Sequence, residues 1–83
     1  MAIAVVMPAV EPGMVEGTVL SWQKKPGDPV QEGETLLRIE TDTGEAEVPS
    51  PAAGYLLRID ADIDQIVSCG ETVAWVGEKG EAV

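Results

Sequence analysis

Histidine is absent from this sequence of 83 residues, and cysteine occurs only once, as Cys69. Without histidine, the chain lacks the commonest general base and the commonest metal ligand of proteins. A single cysteine excludes an internal disulfide bond, which in so small a domain favours a reducing compartment. We therefore expect no metal centre, and a location in the cytoplasm, or in the mitochondrial matrix of a eukaryotic source.

Basic residues are also scarce, because 5 lysine and arginine residues stand against 15 acidic residues, for a formal net charge of −10. Nucleic acids and anionic membrane surfaces are bound through clustered positive charge, so neither is expected as a partner. No apolar run approaches the length of a membrane span, and no secretory signal is visible. The composition suits a soluble chain, monomeric when isolated, or one that meets a basic protein.

The sequence does contain short apolar runs, which 9 glycines and 6 prolines separate. Turn residues recur about every eight to twelve residues, as in a small β-sandwich or barrel, and no window shows a helical stripe. The predicted strands are Ile3–Met7, Thr18–Trp22, Pro29–Gln31, Thr35–Glu40, Glu45–Val48, Tyr55–Ile59, Ile66–Ser68 and Thr72–Val76. We predict one all-β domain over residues 1–78, followed by a flexible tail or the start of a linker at residues 79–83.

An internal repeat divides the chain into two similar halves. Residues 17–40 align without a gap with residues 54–77, at an offset of 37 (54 − 17). The alignment places Gly17 on Gly54 and matches the Gly-Glu-Thr run that begins at Gly33 with the one that begins at Gly70. This repeat predicts a flattened barrel or sandwich of two small antiparallel sheets related by a quasi-two-fold axis, each covering the other's apolar face.

A hairpin is predicted between the halves, with its tip at Thr41–Gly44. Strand, Asp-Thr-Gly, strand is typical of a type I turn in which Gly44 takes a left-handed backbone and forms a G1 bulge. The carboxylate of Asp42 is expected to cap the turn. Asp42 and Thr43 would then project into solvent between the acidic residues Glu40 and Glu45, so this tip is the candidate site.

The order of short motifs resembles the lipoyl domains of the biotin/lipoyl attachment family. More specifically, the chain is similar to the lipoyl domain of the dihydrolipoamide acyltransferase component of 2-oxo acid dehydrogenase complexes. The matching segments are Met7-Pro8, Met14-Val15-Glu16-Gly17, Lys25-Pro26-Gly27-Asp28-Pro29-Val30, Gly33-Glu34 and residues 47–54 (EVPSPAAG). They follow one another without gaps over nearly the whole chain.

In that family the hairpin tip reads Asp-Lys-Ala, and the lysine carries lipoate, which swings between active sites. Here the tip reads Asp42-Thr43-Gly44, so the resemblance places Thr43 at the lysine position. A threonine hydroxyl is a poor nucleophile without an adjacent base, and we therefore expect no cofactor on this chain. The Met-Lys-Met tip of biotin carriers is also absent, and the three lysines (Lys24, Lys25 and Lys79) are interpreted as ordinary surface charges outside the tip.

Two functions follow from the resemblance. The first is a carrier-type domain without its attachment lysine, whose partners would be the decarboxylase, acyltransferase and dihydrolipoamide dehydrogenase components, or a lipoate ligase. The alternative is a non-lipoylated module for protein interaction or assembly, which docks through the acidic hairpin. The domain is not expected to be an enzyme by itself, because the sequence has no nucleophile–base pair, metal cluster or phosphate loop.

Four other residues are given structural roles. Cys69 is interpreted as a small apolar filler near a turn, since its neighbours offer no cation that would activate a thiol. Trp22 and Trp75 are expected to pack against the body of the domain. Asp64 is expected in a turn, because the family often has glycine there.

Overall fold

The computed structural model describes residues 1–83, which form eight β-strands and no helix. The strands are β1 (Ile3–Val6), β2 (Glu16–Trp22), β3 (Pro29–Val30), β4 (Thr35–Thr41), β5 (Gly44–Pro49), β6 (Gly54–Ile59), β7 (Ile66–Ser68) and β8 (Thr72–Gly77). Each predicted strand is present, and no end differs by more than two residues. No helix of the length and apolarity needed to cross a bilayer occurs in the structure.

The strands form two four-stranded antiparallel sheets. The first sheet has the order β1-β8-β6-β3 and the second has the order β5-β4-β2-β7. In the repeat, β2 corresponds to β6, β3 to β7 and β4 to β8, so equivalent strands take equivalent places in the two sheets. The predicted quasi-two-fold sandwich is confirmed, and the two sheets are not closed into a barrel.

The two halves of the sequence exchange a strand. The short strand β3 belongs to the first half but pairs with β6 of the second, and β7 pairs with β2 in the same manner. The core between the sheets consists of 14 buried apolar residues drawn from both halves. Alternation at the start of β2, where Gly17 and Val19 are buried and Thr18 is not, shows how the period of two directs one face of a strand inward. Neither half closes this core alone.

The connections between strands repeat the symmetry in their hydrogen bonds. Gly27 N–H donates to the carbonyl of Leu56, and Asp64 N–H donates to the carbonyl of Val19, both at 2.7 Å. Val19 and Leu56 are partners in the repeat, as are Gly27 and Asp64. The loop that leads to β7 therefore has the geometry of the loop that leads to β3.

Asp64 occupies a backbone conformation that glycine adopts in the other half. Its φ is +73°, the only positive value at a residue other than glycine, whereas Gly27 has φ +97°. The prediction that Asp64 lies in a turn is confirmed. A positive φ strains a residue that carries a Cβ, although aspartate tolerates it better than most residues do.

We therefore expect Asp64→Gly to raise the free energy of unfolding by about 0.5–1 kcal/mol, because relief of strain exceeds the added entropy of the unfolded chain. Asp62 is also exposed but has no positive φ, so Asp62→Gly serves as the matched control and should lower the stability. Urea unfolding of the three proteins measures both effects. Equal losses in both variants would show that the backbone at Asp64 is unstrained.

Trp22 is the last residue of β2, Trp75 lies within β8, and Cys69 lies in the turn that follows β7. Trp22 packs against the core and its indole N–H donates to the carbonyl of Ala61 at 2.9 Å. Trp75 is half-buried and donates to the Asp60 carboxylate at 3.2 Å. Cys69 is partly buried against the core, as expected of a filler.

Residues after β8 also make defined contacts. The N–H of Glu81 donates to the carbonyl of Glu78, and the Glu81 carboxylate accepts a hydrogen bond from the N–H of Glu78, both at 3.0 Å. These two bonds close a turn over residues 78–81. The division of the chain at residue 78 stays a prediction.

Candidate functional site at the β4–β5 hairpin

The candidate site is the tip of the hairpin formed by β4 and β5. The register pairs Glu40 with Glu45 and Thr41 with Gly44, so Asp42 and Thr43 alone form the loop. Both loop residues are exposed. Gly44 has φ +148°, a region open mainly to glycine, and nothing lies within 4 Å of the position that a Cβ would take there. The tip thus projects from the end of the second sheet.

Two details of the predicted turn were wrong. The register of the β4–β5 pair is continuous at Gly44, and its irregularity lies instead between Thr35 and Leu37, so there is no G1 bulge at the tip. The Asp42 carboxylate does not cap the turn either. The hydroxyl of Thr41 closes it by donating to the carbonyl of Gly44 at 3.1 Å. Asp42 is exposed and takes no part in closing the turn.

The rim of the hairpin is acidic and contains one cation. Glu40 and Glu45 face each other across the two strands, an arrangement of like charges that disfavours pairing. Arg38 offsets it by contacting Glu45 through Nη2 at 2.5 Å and Glu47 through Nη1 at 3.4 Å. The hydrogen bond to Glu45 raises the pKa of the Arg38 guanidinium above its ordinary value. Glu40 and Asp42 keep no such partner, so negative charge remains at the tip.

The tip also makes one contact that the sequence does not predict. The hydroxyl of Thr43 donates a hydrogen bond to the carboxylate of Glu11, which lies in the segment between β1 and β2. The two residues are separated by 32 positions in the sequence. No pattern in the sequence relates them, because the segment between β1 and β2 is irregular and its path depends on the folded sheets. Glu11 therefore joins Asp42, Thr43 and Gly44 as a residue of the site.

The residues of the tip do not fit an amide-linked acyl cofactor. Position 43 offers a hydroxyl in place of a primary amine, so an acyl group there would be held by an ester and not by the amide that a lysine forms. Lys24 is held by Glu34 at 2.8 Å. Lys24 lies just after the end of β2 at which Trp22 pairs with Leu37. The hairpin tip extends from the opposite end of the β2–β4 strand pair. The structure also has no surface hollow lined by residues 41–44.

Comparison with known protein families shows to which family this chain belongs. The family model described as "Biotin-requiring enzyme", which defines the biotin/lipoyl family, matches residues 3–76. The chain belongs to the biotin/lipoyl family. The structure of this family member is similar to the solution structure of the lipoyl domain of the 2-oxoglutarate dehydrogenase complex from Azotobacter vinelandii. The TM-score is 0.69 and the sequence identity is 33%, with coverage of 93% of this chain and 100% of that domain.

Curated relatives of this lipoyl-type domain are acyltransferase components. The dihydrolipoyllysine-residue acetyltransferase component of the pyruvate dehydrogenase complex from Acholeplasma laidlawii is 46% identical over 68 residues. The match covers 82% of this chain and 12% of that protein. The corresponding component of the acetoin cleaving system from Bacillus subtilis is 36% identical over 83 residues, which cover 100% of this chain and 21% of that protein. The chain thus corresponds to one domain within these longer relatives, and the resemblance seen in the sequence is confirmed.

Proposed function

We propose that this lipoyl-type domain is a carrier-type domain of a 2-oxo acid dehydrogenase acyltransferase, in a form whose hairpin is not lipoylated. The observation that carries the proposal is the tip itself, where Asp42 and Thr43 alone form the exposed loop between β4 and β5. The family attaches its cofactor through the lysine of this hairpin, and a hydroxyl stands in its place at Thr43.

The fold holds the hairpin tip out in solvent, as the family requires. What this tip lacks is a nucleophile that could carry the cofactor. In the family, a lipoylated tip serves several active sites because the tether raises the local concentration of the acyl group. Here β4 and β5 hold a projecting tip, Thr41 closes the turn, and Gly44 adopts the positive φ that the return of the chain requires. Lipoate, when bound, supplies redox and acyl chemistry, so the domain acts as a substrate of other enzymes and performs no catalysis by itself.

The proposed partners are the decarboxylase, acyltransferase and dihydrolipoamide dehydrogenase components of such a complex, or a lipoate ligase. Glu40 and Asp42 are exposed acidic residues, and they favour a partner whose docking surface is basic. We place the protein in the cytoplasm or the mitochondrial matrix. A non-lipoylated interaction module remains the alternative function, and it uses the same acidic hairpin.

The test is whether a lysine at position 43 restores modification. Native protein, Thr43→Lys and Thr43→Arg are each incubated with lipoate ligase, lipoate and ATP, and the hairpin peptide is examined by mass spectrometry. We expect one lipoyl group on the hairpin peptide of Thr43→Lys, because the amine is the only missing reactant, and none on the native peptide. Thr43→Arg adds the same charge without a primary amine, so it should stay unmodified.

Two outcomes would contradict the proposal. Modification of the native hairpin peptide would show that the hydroxyl or a neighbouring group accepts the acyl chain. An unmodified Thr43→Lys hairpin in a protein that still unfolds cooperatively would show that ligases do not recognise this tip, and the interaction module would then be favoured.

A further inference from the structure

The two sheets have four edge strands, and three of these are protected against pairing with another chain. The edges are β1 and β3 in the first sheet and β5 and β7 in the second. Proteins guard such edges with very short strands, charged side chains or proline. The strand β3 has two residues and begins with Pro29, and β7 has three residues. The strand β5 is longer, but it carries the exposed residues Glu45 and Glu47 and ends at Pro49.

The edge formed by β1 has none of these protections. The strand has four residues, Ile3–Val6, and none of them is charged or a proline. It pairs only with β8, so the backbone groups on its other side have no strand partner. Ile3 and Val6 are exposed large apolar residues. An uncharged and exposed edge of this kind is open to an added strand, which would bond to the backbone of β1.

A groove beside this edge is suited to the side chains of an added strand. It has a volume of about 240 Å³ and lies between β1 and the chain at the end of β5. None of its eight lining residues is charged, and they include Val6, Pro8, Val48 and Pro51. Every second residue of a strand points to the same face, so alternate residues of an added strand would face this groove. Because the groove is uncharged, we expect those residues to be apolar.

The charges around the edge indicate what accompanies the apolar residues of the partner. Met7 follows β1, and its N–H donates to the carbonyl of Glu71 at 2.9 Å, which places Glu71 at this end of the edge. The Glu71 side chain is exposed and forms no ion pair. At the other end, the Met1 ammonium group offsets Glu81 at 3.5 Å. The net charge of −10 also favours a basic partner and opposes the approach of a second copy of this chain.

We propose that the edge of β1 is a docking site for an extended segment of a partner protein. The segment is apolar at alternate positions and carries a lysine or arginine beside Glu71. It joins the first sheet as an additional strand, with its backbone bonded to β1 and its apolar side chains in the groove. The hairpin tip extends from the second sheet, so this docking site does not depend on the modification of position 43.

The probe is the peptide acetyl-Lys-Val-Thr-Val-Thr-Val-Lys-amide, in which a lysine at each end allows for either strand direction. It is titrated into isotopically labelled native protein, and we expect saturable changes in the NMR shifts of β1 and of the groove residues. The same peptide N-methylated at every valine and threonine keeps the side chains but lacks the backbone donors, so it should cause no shifts at β1. Glutamate in place of both lysines should weaken binding about fivefold, since attraction to Glu71 becomes repulsion.

Val6→Lys places a charge on the edge and should abolish the shifts that the peptide causes. Ile66→Lys is the matched control, because Ile66 is an exposed apolar residue of the edge strand β7, and this variant should bind as the native protein does. The peptide comparisons use native protein, so they decide the matter even if Val6→Lys does not fold.

Three results would overturn the inference. The first is equal binding of the N-methylated peptide, and the second is the absence of shifts at β1 with the unmodified peptide. The third is broadening of the β1 signals that grows with protein concentration when no peptide is present, because a second copy of the chain would then occupy the edge.

Discussion

Gly54→Ala is expected to lower the free energy of unfolding by about 3 kcal/mol, which is a large share of the stability of a small domain. Gly54 has φ +156°, and a Cβ at this position would lie 2.5 Å from the carbonyl oxygen of Gly77. That oxygen belongs to the backbone of β8, so it moves only if the pairing of β6 with β8 is disturbed. Strain and steric overlap act together, and the melting temperature should fall by at least about 10 °C.

Gly17→Ala is the matched control, because Gly17 is the repeat partner of Gly54. A Cβ at Gly17 would meet the sulfur of Met7 at 3.0 Å and the terminal methyl of Met14 at 3.2 Å. Both are ends of flexible side chains, and Gly17 has no positive φ, so a loss of about 1 kcal/mol is expected. Urea unfolding followed by tryptophan fluorescence measures both variants. Similar losses at the two positions would contradict the close approach of β6 and β8.

Leu36→Ala and Leu37→Ala are each expected to lower the free energy of unfolding by about 2–5 kcal/mol. Both side chains are fully buried, although neighbouring residues of a regular strand point to opposite faces. The register irregularity between Thr35 and Leu37 turns both inward and explains this exception. Each truncation would therefore leave a cavity in the core.

Leu57→Ala is the control for these two variants, since Leu57 is only half-buried and should cost about 1 kcal/mol or less. The comparison uses the same urea titration. A loss at Leu36 no larger than the loss at Leu57 would mean that β4 alternates regularly and that only Leu37 belongs to the core.

The sequence was sufficient to predict the strands and the two-sheet architecture. Strands are encoded locally, by alternation such as that of Gly17, Thr18 and Val19 and by glycines between the runs. The repeat then related the two sheets, and the positive φ shared by Gly27 and Asp64 shows that the alignment holds at single residues. The projecting tip with Asp42 and Thr43 exposed was predictable for the same reason.

Features that depend on competition or on distant pairing were not predictable. Asp42 and Thr41 both carry oxygens suited to closing a turn, and only the folded geometry shows that Thr41 reaches the Gly44 carbonyl. The contact of Thr43 with Glu11 joins two loops whose approach is set by the sheets. The exchange of β3 and β7 likewise depends on the whole fold, because two-residue and three-residue strands have no pairing preference of their own.

The pairing of the first strand with the last has a consequence for how the chain is made. Ile3 lies opposite Val76, which is 73 residues later (76 − 3), and β3 can pair only after β6 has been synthesised. During synthesis on a ribosome, the N-terminal half therefore emerges without the neighbours that would cover its apolar residues, and it stays unfolded until β8 has left the exit tunnel. The domain therefore folds in one cooperative step at the end of its synthesis. A polypeptide whose synthesis was interrupted would be open to proteases along its entire length.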